Sequence, residues 1–126
     1  LPKLTDLEYL NIQNIKSGGS IPSFLSNMTK LVGLDLSDNQ LIGTIPSFIA
    51  KMKDLLVLKL RNNQLTGSIP SFLWKIKTLE VLHLYKNKLI GSIPNSVCGR
   101  YLEWLVDCAK VKCSCCQDYD TWSLCK

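Results

Sequence analysis

Leucine and isoleucine recur through the chain at fixed intervals, with polar residues between them. From Leu31 the pattern is L-x-x-L-x-L-x-x-N-x-L-x-G-x-I-P, and it starts again at Leu55 and once more, after the same interval, at Leu79. A degenerate copy starts at Leu7. Self-similarity at a fixed period of about 20 to 50 residues is the signature of a solenoid. The L-x-L alternation predicts a short strand with one buried face, and the residues after each Ile-Pro predict a short helical return.

The second half of each repeat, Leu-x-Gly-x-Ile-Pro, occupies residues 41–46, 65–70 and 89–94. On this motif the chain resembles extracellular plant-type leucine-rich repeat proteins over roughly residues 4–106. Its opening is similar to polygalacturonase-inhibiting proteins and its repeats to receptor-like ectodomains, whereas its cysteine-rich tail is similar to algal and diatom leucine-rich repeat proteins. The resemblance implies an α/β leucine-rich repeat solenoid of four 24-residue repeats with a parallel concave β-sheet. It also implies recognition in defence, receptor signalling or inhibition of secreted enzymes.

The period breaks after the fourth repeat. The segment Leu102–Asp107 starts one position short of the period and predicts a fifth, closing strand that presents Trp104 and Val106 on the concave side. A helix through Tyr101 and Leu105 is the alternative, because short apolar runs fit both structures. Beyond Cys108 we expect irregular structure, including a final loop around residues 118–122.

Six cysteines lie near the C-terminus and none lies in the repeats. An even number confined to one end predicts a disulfide-rich C-terminal cap formed in an oxidising compartment. A zinc site is the alternative, but the single histidine lies on another element. We expect three disulfides, with the adjacent Cys115 and Cys116 bonded to different partners, and the 15 connectivities that six cysteines allow stay open. The disulfide residues are Cys98, Cys108, Cys113, Cys115, Cys116 and Cys125.

The 126 residues predict one structural unit, with a solenoid at 1–106 and a cap at 107–126 that Cys98 ties together. No segment approaches the ~20 apolar residues of a membrane span. No signal peptide opens the chain, so we expect either a removed leader or a longer parent protein.

Columns of identical residues recur beside the leucines. Asn39, Asn63 and Asn87 are predicted to satisfy the backbone of neighbouring turns, because an amide offers two donors and an acceptor. The Gly and Pro columns predict a short extended segment on the convex side. Its outward residues are Ser20, Thr44, Ser68 and Ser92.

Alternation along the strands places every second side chain on the concave face. Repeat proteins bind through this surface, so we predict that it binds a protein or peptide partner. Acidic residues mark its first half and basic residues its second, which suits an acidic partner. The residues predicted to contact the partner are Tyr9, Asn11, Gln13, Asp35, Ser37, Val57, Lys59, Arg61, Val81, His83, Tyr85, Lys86 and Trp104.

Charge and composition narrow the function. The net charge of +5 is mildly basic, but no basic run, phosphate loop or RNA-binding motif is present, so we expect no nucleic-acid partner. His83 is expected to be exposed, with no acid or nucleophile to complete a catalytic site, so we predict neither an enzyme nor a cofactor or metal.

Three further interpretations stay open. Asn27-Met28-Thr29 is an N-x-T acceptor and predicts glycosylation at Asn27 in a secreted protein. The hydroxyl column on the convex side fits a carbohydrate- or ice-binding protein. A structural or adhesive fragment of a larger receptor is the remaining alternative. The ligand, the oligomeric state and the source of the chain are not determined by the sequence.

Overall fold

The computed structural model describes residues 3–98 and 103–118, and each repeat in it forms one coil of a solenoid. The strands in chain order are β1 (Tyr9–Asn11), β2 (Gly33–Asp35), β3 (Ile42–Gly43), β4 (Val57–Lys59), β5 (Gln64–Leu65), β6 (Val81–His83), β7 (Gly91–Ser92), β8 (Glu103–Val106), β9 (Val111–Lys112) and β10 (Gln117–Asp118). The helices are short 3₁₀ turns: η1 (Leu4–Asp6), η2 (Ser23–Asn27), η3 (Ser47–Lys51), η4 (Ser71–Lys75) and η5 (Asn95–Val97).

Two rows of parallel strands form the solenoid. The concave sheet has the order β1-β2-β4-β6-β8-β10. A second row pairs β3 with β5 and β7 with β9, and single bridges join Ser20 to Ile42 and Ser68 to Ile90. Both the predicted concave sheet and the predicted second extended segment are therefore confirmed.

The core consists of apolar columns, because the constant period of the sequence stacks each side chain on its counterpart in the next repeat. Leu34, Leu58 and Leu82 form one such column and are at most 1% exposed. Burying a leucine side chain contributes about 1.5–3 kcal/mol, so each column stabilises the stack substantially. The counterpart in the first coil, Leu10, is only half-buried, because β1 is the outer strand of the sheet.

The asparagine column forms the predicted hydrogen-bond ladder. The side-chain oxygen of Asn63 accepts from the backbone N–H groups of Asn39 and Leu41, at 3.1 and 2.9 Å. Its side-chain nitrogen donates to the carbonyls of Leu36 and Leu60, both at 3.0 Å. Asn87 repeats the two donor bonds and the bond from Leu65 one coil later, whereas the backbone N–H of Asn63 donates to the carbonyl of Lys86. The ladder satisfies buried backbone groups where the chain leaves the sheet.

Asp107 ends the ladder where no further asparagine follows. Its carboxylate accepts from the backbone N–H groups of Lys86 at 3.1 Å and Asn87 at 3.4 Å. The sequence interpretation missed this role, although a short acidic residue after a closing strand was the available signal.

The closing strand β8 forms as predicted, and the helical alternative is wrong. Its register differs from the prediction by one position, because Leu82 pairs with Trp104 and His83 pairs with Leu105. Trp104 and Val106 therefore point into the core, at 6% and 0% exposure, and not to the concave side. The Trp104 ring stacks on Trp74 of η4 with centroids 5.9 Å apart, which explains the inward position.

The tail contains more regular structure than expected. Strand β9 extends the second row, and β10 adds a sixth strand to the concave sheet beside β8. The loop expected around residues 118–122 falls, apart from residue 118, outside the described residues.

One disulfide joins the tail to the last repeat, and another lies within the tail. Cys98 pairs with Cys115 and Cys113 pairs with Cys116, so the adjacent cysteines have different partners, as predicted. Cys108 is also disulfide-bonded. The bond from Cys98 ties the last helical turn to the tail, and Cys125 lies outside the described residues.

None of the helices in the described ranges is long and apolar enough to span a membrane.

Candidate partner-binding face

The concave sheet arranges its outward side chains in columns fixed by the strand register. Tyr9, Gly33 and Val57 lie side by side, followed by Val81 and Glu103. Asn11, Asp35, Lys59, His83 and Leu105 form the next column. The first four members of each column are those expected from the sequence. The fifth members differ, because the register of β8 places Glu103 and Leu105 there.

A hollow lies beside the first column, where the ring of Tyr9 covers the buried Gly33. The hollow measures about 280 Å³, and its lining includes Tyr9, Gly33, Val57, Asp35 and Lys59. A Cβ built at Gly33 would lie 2.8 Å from Cδ1 of Tyr9, so the tyrosine ring lies across the glycine. Tyr9 remains 65% exposed. The result is an apolar depression with an acidic and a basic residue in its wall.

Arg61 lies at the centre of the face in a small polar network. Its guanidinium approaches a carboxylate oxygen of Asp38 at 3.4 Å and the hydroxyl of Tyr85 at 3.5 Å. Burial lowers the pKa of Arg61, but the hydrogen bond to Tyr85 and the nearby carboxylates outweigh it, so the pKa is raised overall. Asn62 donates a further hydrogen bond to Asp38. Arg61 is therefore held in place before any partner binds.

His83 is buried, which corrects the expectation of an exposed histidine. The residue is 7% exposed, and Nε2 lies 2.7 Å from a carboxylate oxygen of Glu103. Burial lowers the pKa of His83, and Lys59 and Arg61 lower it further, whereas the hydrogen bond and charge of Glu103 oppose this shift. Nδ1 is buried without a hydrogen-bond partner among the described residues, so the neutral Nε2–H tautomer donating to Glu103 is favoured.

Two further predicted contact residues are withdrawn from the surface. Ser37 is 0% exposed, because a serine side chain is shorter than those of Gln13 and Arg61 beside it. Trp104 lies in the core, as described above. The remaining predicted residues are exposed or half-buried on the concave side: Tyr9, Asn11, Gln13, Asp35, Val57, Lys59, Arg61, Val81, Tyr85 and Lys86.

A polar groove borders this face where the strands end. Its volume is about 750 Å³, and amide side chains such as Gln13, Gln40 and Gln64 line it together with Asp38 and Lys16. Several of its residues, including Asp38 and Gln40, have positive φ of 60° and 62°. The chain turns sharply here, which brings polar side chains of successive repeats next to one another.

The second row of strands presents a different surface. Ile42 and Ile90 are 51% and 55% exposed, and Thr66 lies at the same position of the repeat between them. The hydroxyl column predicted to point outward is exposed throughout: Ser20, Thr44, Ser68 and Ser92. Gly43, Gly67 and Gly91 have φ of 81°, 84° and 104°, which glycine adopts without strain.

Asn27 is exposed at the last residue of η2, and Thr29 of the same N-x-T motif is exposed as well. Glycosylation at Asn27 stays a prediction. In the ranges that the structure covers, no three His, Cys, Asp or Glu side chains converge as metal ligands would.

Comparison with known proteins identifies the repeat. A family model described as "Leucine rich repeat" matches residues 29–89. No curated protein matches the chain.

Solved structures give broader matches. One match is the ectodomain of the Arabidopsis thaliana receptor kinase GASSHO1/SCHENGEN3, solved in complex with CASPARIAN STRIP INTEGRITY FACTOR 2. It is 36% identical to this chain with a TM-score of 0.72, and the match covers 88% of this chain and 13% of that one. The Arabidopsis receptor kinase HAESA, in complex with the peptide hormone IDA and the co-receptor SERK1, is 35% identical with a TM-score of 0.74, covering 86% of this chain and 18% of that one. A plant ice-binding protein is 32% identical with a TM-score of 0.66, covering 79% of this chain and 33% of that one. The chain thus spans at most a third of the length of these structures.

Proposed function

We propose that this chain, a leucine-rich repeat protein of the plant type, is an extracellular, non-catalytic recognition module that binds a peptide or protein through its concave face. Two ectodomains that it resembles were solved with bound partners, and one of those partners is a peptide hormone. The described disulfides support an oxidising compartment.

The hollow at Gly33 is the observation that carries this proposal. It is an apolar depression on the described part of the face, beside the Tyr9 ring that packs over Gly33, and Val57 forms part of its lining. Tyrosine is enriched at binding hot spots, and an exposed ring of this kind provides a large contact area. An apolar side chain of the partner fits the depression.

Charged groups beside the hollow indicate which neighbouring groups the partner would carry. Lys59 is half-buried and has no ion pair within the described residues. Arg61, in contrast, already contacts Asp38, so an incoming carboxylate would have to compete with that pair. We therefore propose a partner that places an acidic group near Lys59, next to its apolar anchor.

Selection from a random peptide display library provides the test. We expect the enriched peptides to share an apolar residue next to an acidic one, and Tyr9→Ala and Lys59→Glu each to weaken their binding at least tenfold. Higher salt should weaken it as well, because exposed charges are screened over about 8–10 Å at physiological ionic strength. Lys112→Glu is the matched control, since it reverses the same charge at an exposed residue of β9 in the second row of strands. Selected peptides that bind both charge variants equally would rule out the concave assignment.

A second candidate function is ice binding through the second row of strands. The exposed Ile42, Thr66 and Ile90 lie beside the hydroxyl column on a regular surface, and a plant ice-binding protein is among the similar structures. Thr66→Arg places a charge in the middle of this surface. An assay of ice recrystallisation should show inhibition by the native chain and loss in the variant, and inactivity of the native chain would exclude this candidate.

A further inference from the structure

The fold assembles a cluster of four lysines that no run in the sequence reveals. Lys51 and Lys53 flank the end of η3, and Lys75 and Lys77 occupy the same positions of the next repeat at the end of η4. Lys51 and Lys75 are the last residues of η3 and η4, two 3₁₀ turns that pack against each other in neighbouring coils. The four lysines therefore lie close together on one turn face of the solenoid.

The lysines point outward because the residues between them point inward. Met52 and Ile76 alternate with the lysines and are 1% and 3% exposed, so they anchor both turns in the core. All four lysines are exposed. Within the described ranges, none of them has an ion pair or a side-chain hydrogen bond, so their charges are available to a partner.

One carboxylate lies on the same turns. Asp54 follows Lys53, whereas the next coil has Thr78 at the equivalent position. The Thr78 hydroxyl is committed to the backbone carbonyls of Leu55 at 2.7 Å and Lys53 at 3.2 Å. The patch therefore carries four cations against one anion, all within a few charge-screening lengths of about 8 Å at physiological ionic strength.

We propose that this lysine patch binds a linear acidic polysaccharide, whose carboxylate or sulfate groups recur at about the length of one sugar ring. Neighbouring coils present the two lysine pairs side by side, so successive acidic groups of the polymer meet successive pairs. Lysine suits such a ligand because its ammonium is a point charge on a flexible stem that adapts to a polymer.

The composition of the turns favours a polysaccharide over a nucleic acid. Single-strand nucleic-acid binding combines basic grooves with exposed aromatic rings on which bases stack. Residues 51–54 and 75–78 contain no aromatic residue, and the ring of the adjacent Trp74 is already stacked on Trp104. The disulfides near the C-terminus also fit a compartment that is rich in polysaccharides. The proposal does not depend on the concave face.

Two variants with the same net charge distinguish binding at the lysine patch from attraction by the net charge of the protein. The patch variant replaces Lys51, Lys53, Lys75 and Lys77 with Gln. The control variant replaces Lys3, Lys16, Lys88 and Lys112 with Gln, four exposed lysines on other surfaces. Each lowers the formal charge of +5 by 4, to +1. Circular dichroism melts verify that both are folded.

Binding to alginate and heparin, with neutral dextran as a reference, is measured for the full chain across a salt series. The patch variant is expected to lose at least tenfold in affinity for both acidic polymers. The slope of its log affinity against log salt concentration should be shallower by about three. The control variant should stay within threefold of the native chain. Alginate should also protect the four patch lysines of the native chain from acetylation.

Several outcomes would overturn the proposal. Equal losses in both variants would show attraction by net charge alone, and retention by dextran would show binding independent of the acidic groups. Tighter binding of a single-stranded oligonucleotide than of alginate would assign the patch to nucleic acid instead. Acetylation protection spread over all surface lysines would likewise remove the patch as the site.

Discussion

Replacing Asn63 with leucine tests how the repeats are held together. The Asn63 side chain makes hydrogen bonds with two backbone N–H groups and with carbonyls of its own and the preceding coil. The carbonyl of Leu36 keeps a bond from Asn39 after the substitution, and that of Leu60 keeps a bond from Asn87. Only the N–H groups of Asn39 and Leu41 lose their acceptor entirely.

The expected destabilisation follows from these two orphaned groups. An unsatisfied buried donor costs about 1–3 kcal/mol, so Asn63→Leu should lower the free energy of unfolding by about 2–6 kcal/mol. Asn63 is 7% exposed and Asn39 is 1% exposed, so water cannot readily replace the lost acceptor. Lys59→Ala on the concave surface should cost no more than about 0.5 kcal/mol, because it breaks no feature of this kind.

Chemical unfolding followed by circular dichroism measures both variants, and amide hydrogen exchange locates the effect. The amides of Asn39 and Leu41 should exchange faster in Asn63→Leu, while those of the fourth repeat change less. Equal stability of Asn63→Leu and Lys59→Ala, with unchanged exchange at these two amides, would refute the ladder as the source of stability.

Three other variants probe the site and the cap. The folded-state pKa of His83 is lowered, so the neutral imidazole stabilises the fold above the unfolded pKa of 6.5, and this stabilisation declines as pH falls below that value. His83→Gln should therefore reduce the loss of stability between pH 7.5 and 5. An unaltered pH dependence of stability would contradict this. Gly33→Val should displace the exposed Tyr9 ring and fill the hollow, abolishing peptide binding at a cost of about 1 kcal/mol or less, measured by titration and thermal melts. Cys98→Ser with Cys115→Ser removes a bond across 17 residues and should cost about 3 kcal/mol. Limited proteolysis should then cleave the tail before the repeats, and simultaneous cleavage would argue against a separate cap.

The repeats were predictable because their period carries the structural information. Each Leu, Asn and Gly position recurs at the same interval, so assigning one coil assigns its neighbours. The fifth strand lies outside this regularity. Val81 pairs with Glu103, whereas the apolar pattern suggested Trp104 as its neighbour. An error of one position exchanges the two faces of a strand, which is why Trp104 was placed on the wrong side.

The surface chemistry was less predictable for the same reason. The burial of His83 depends on Glu103, and that contact exists only in the observed register. The lysine patch was invisible as a sequence run, because its members alternate with apolar residues within a coil and are separated by a whole repeat between coils. Local sequence patterns predict which face of a strand a side chain occupies. Predicting its contacts with residues of a neighbouring coil also requires the pairing register of the two strands.

The carboxylate of Asp107 makes the C-terminal end of the asparagine ladder chemically different from its interior. Every asparagine in the ladder accepts from the coil before it and also donates, whereas an ionised aspartate only accepts. Asp107 satisfies two amides of the coil before it, while β10 continues the concave sheet beyond β8 without adding a ladder asparagine. A further repeat unit could therefore be spliced between two asparagine coils without creating an unmatched group. The number of asparagine coils is free to vary, while the coil that carries Asp107 ends the ladder.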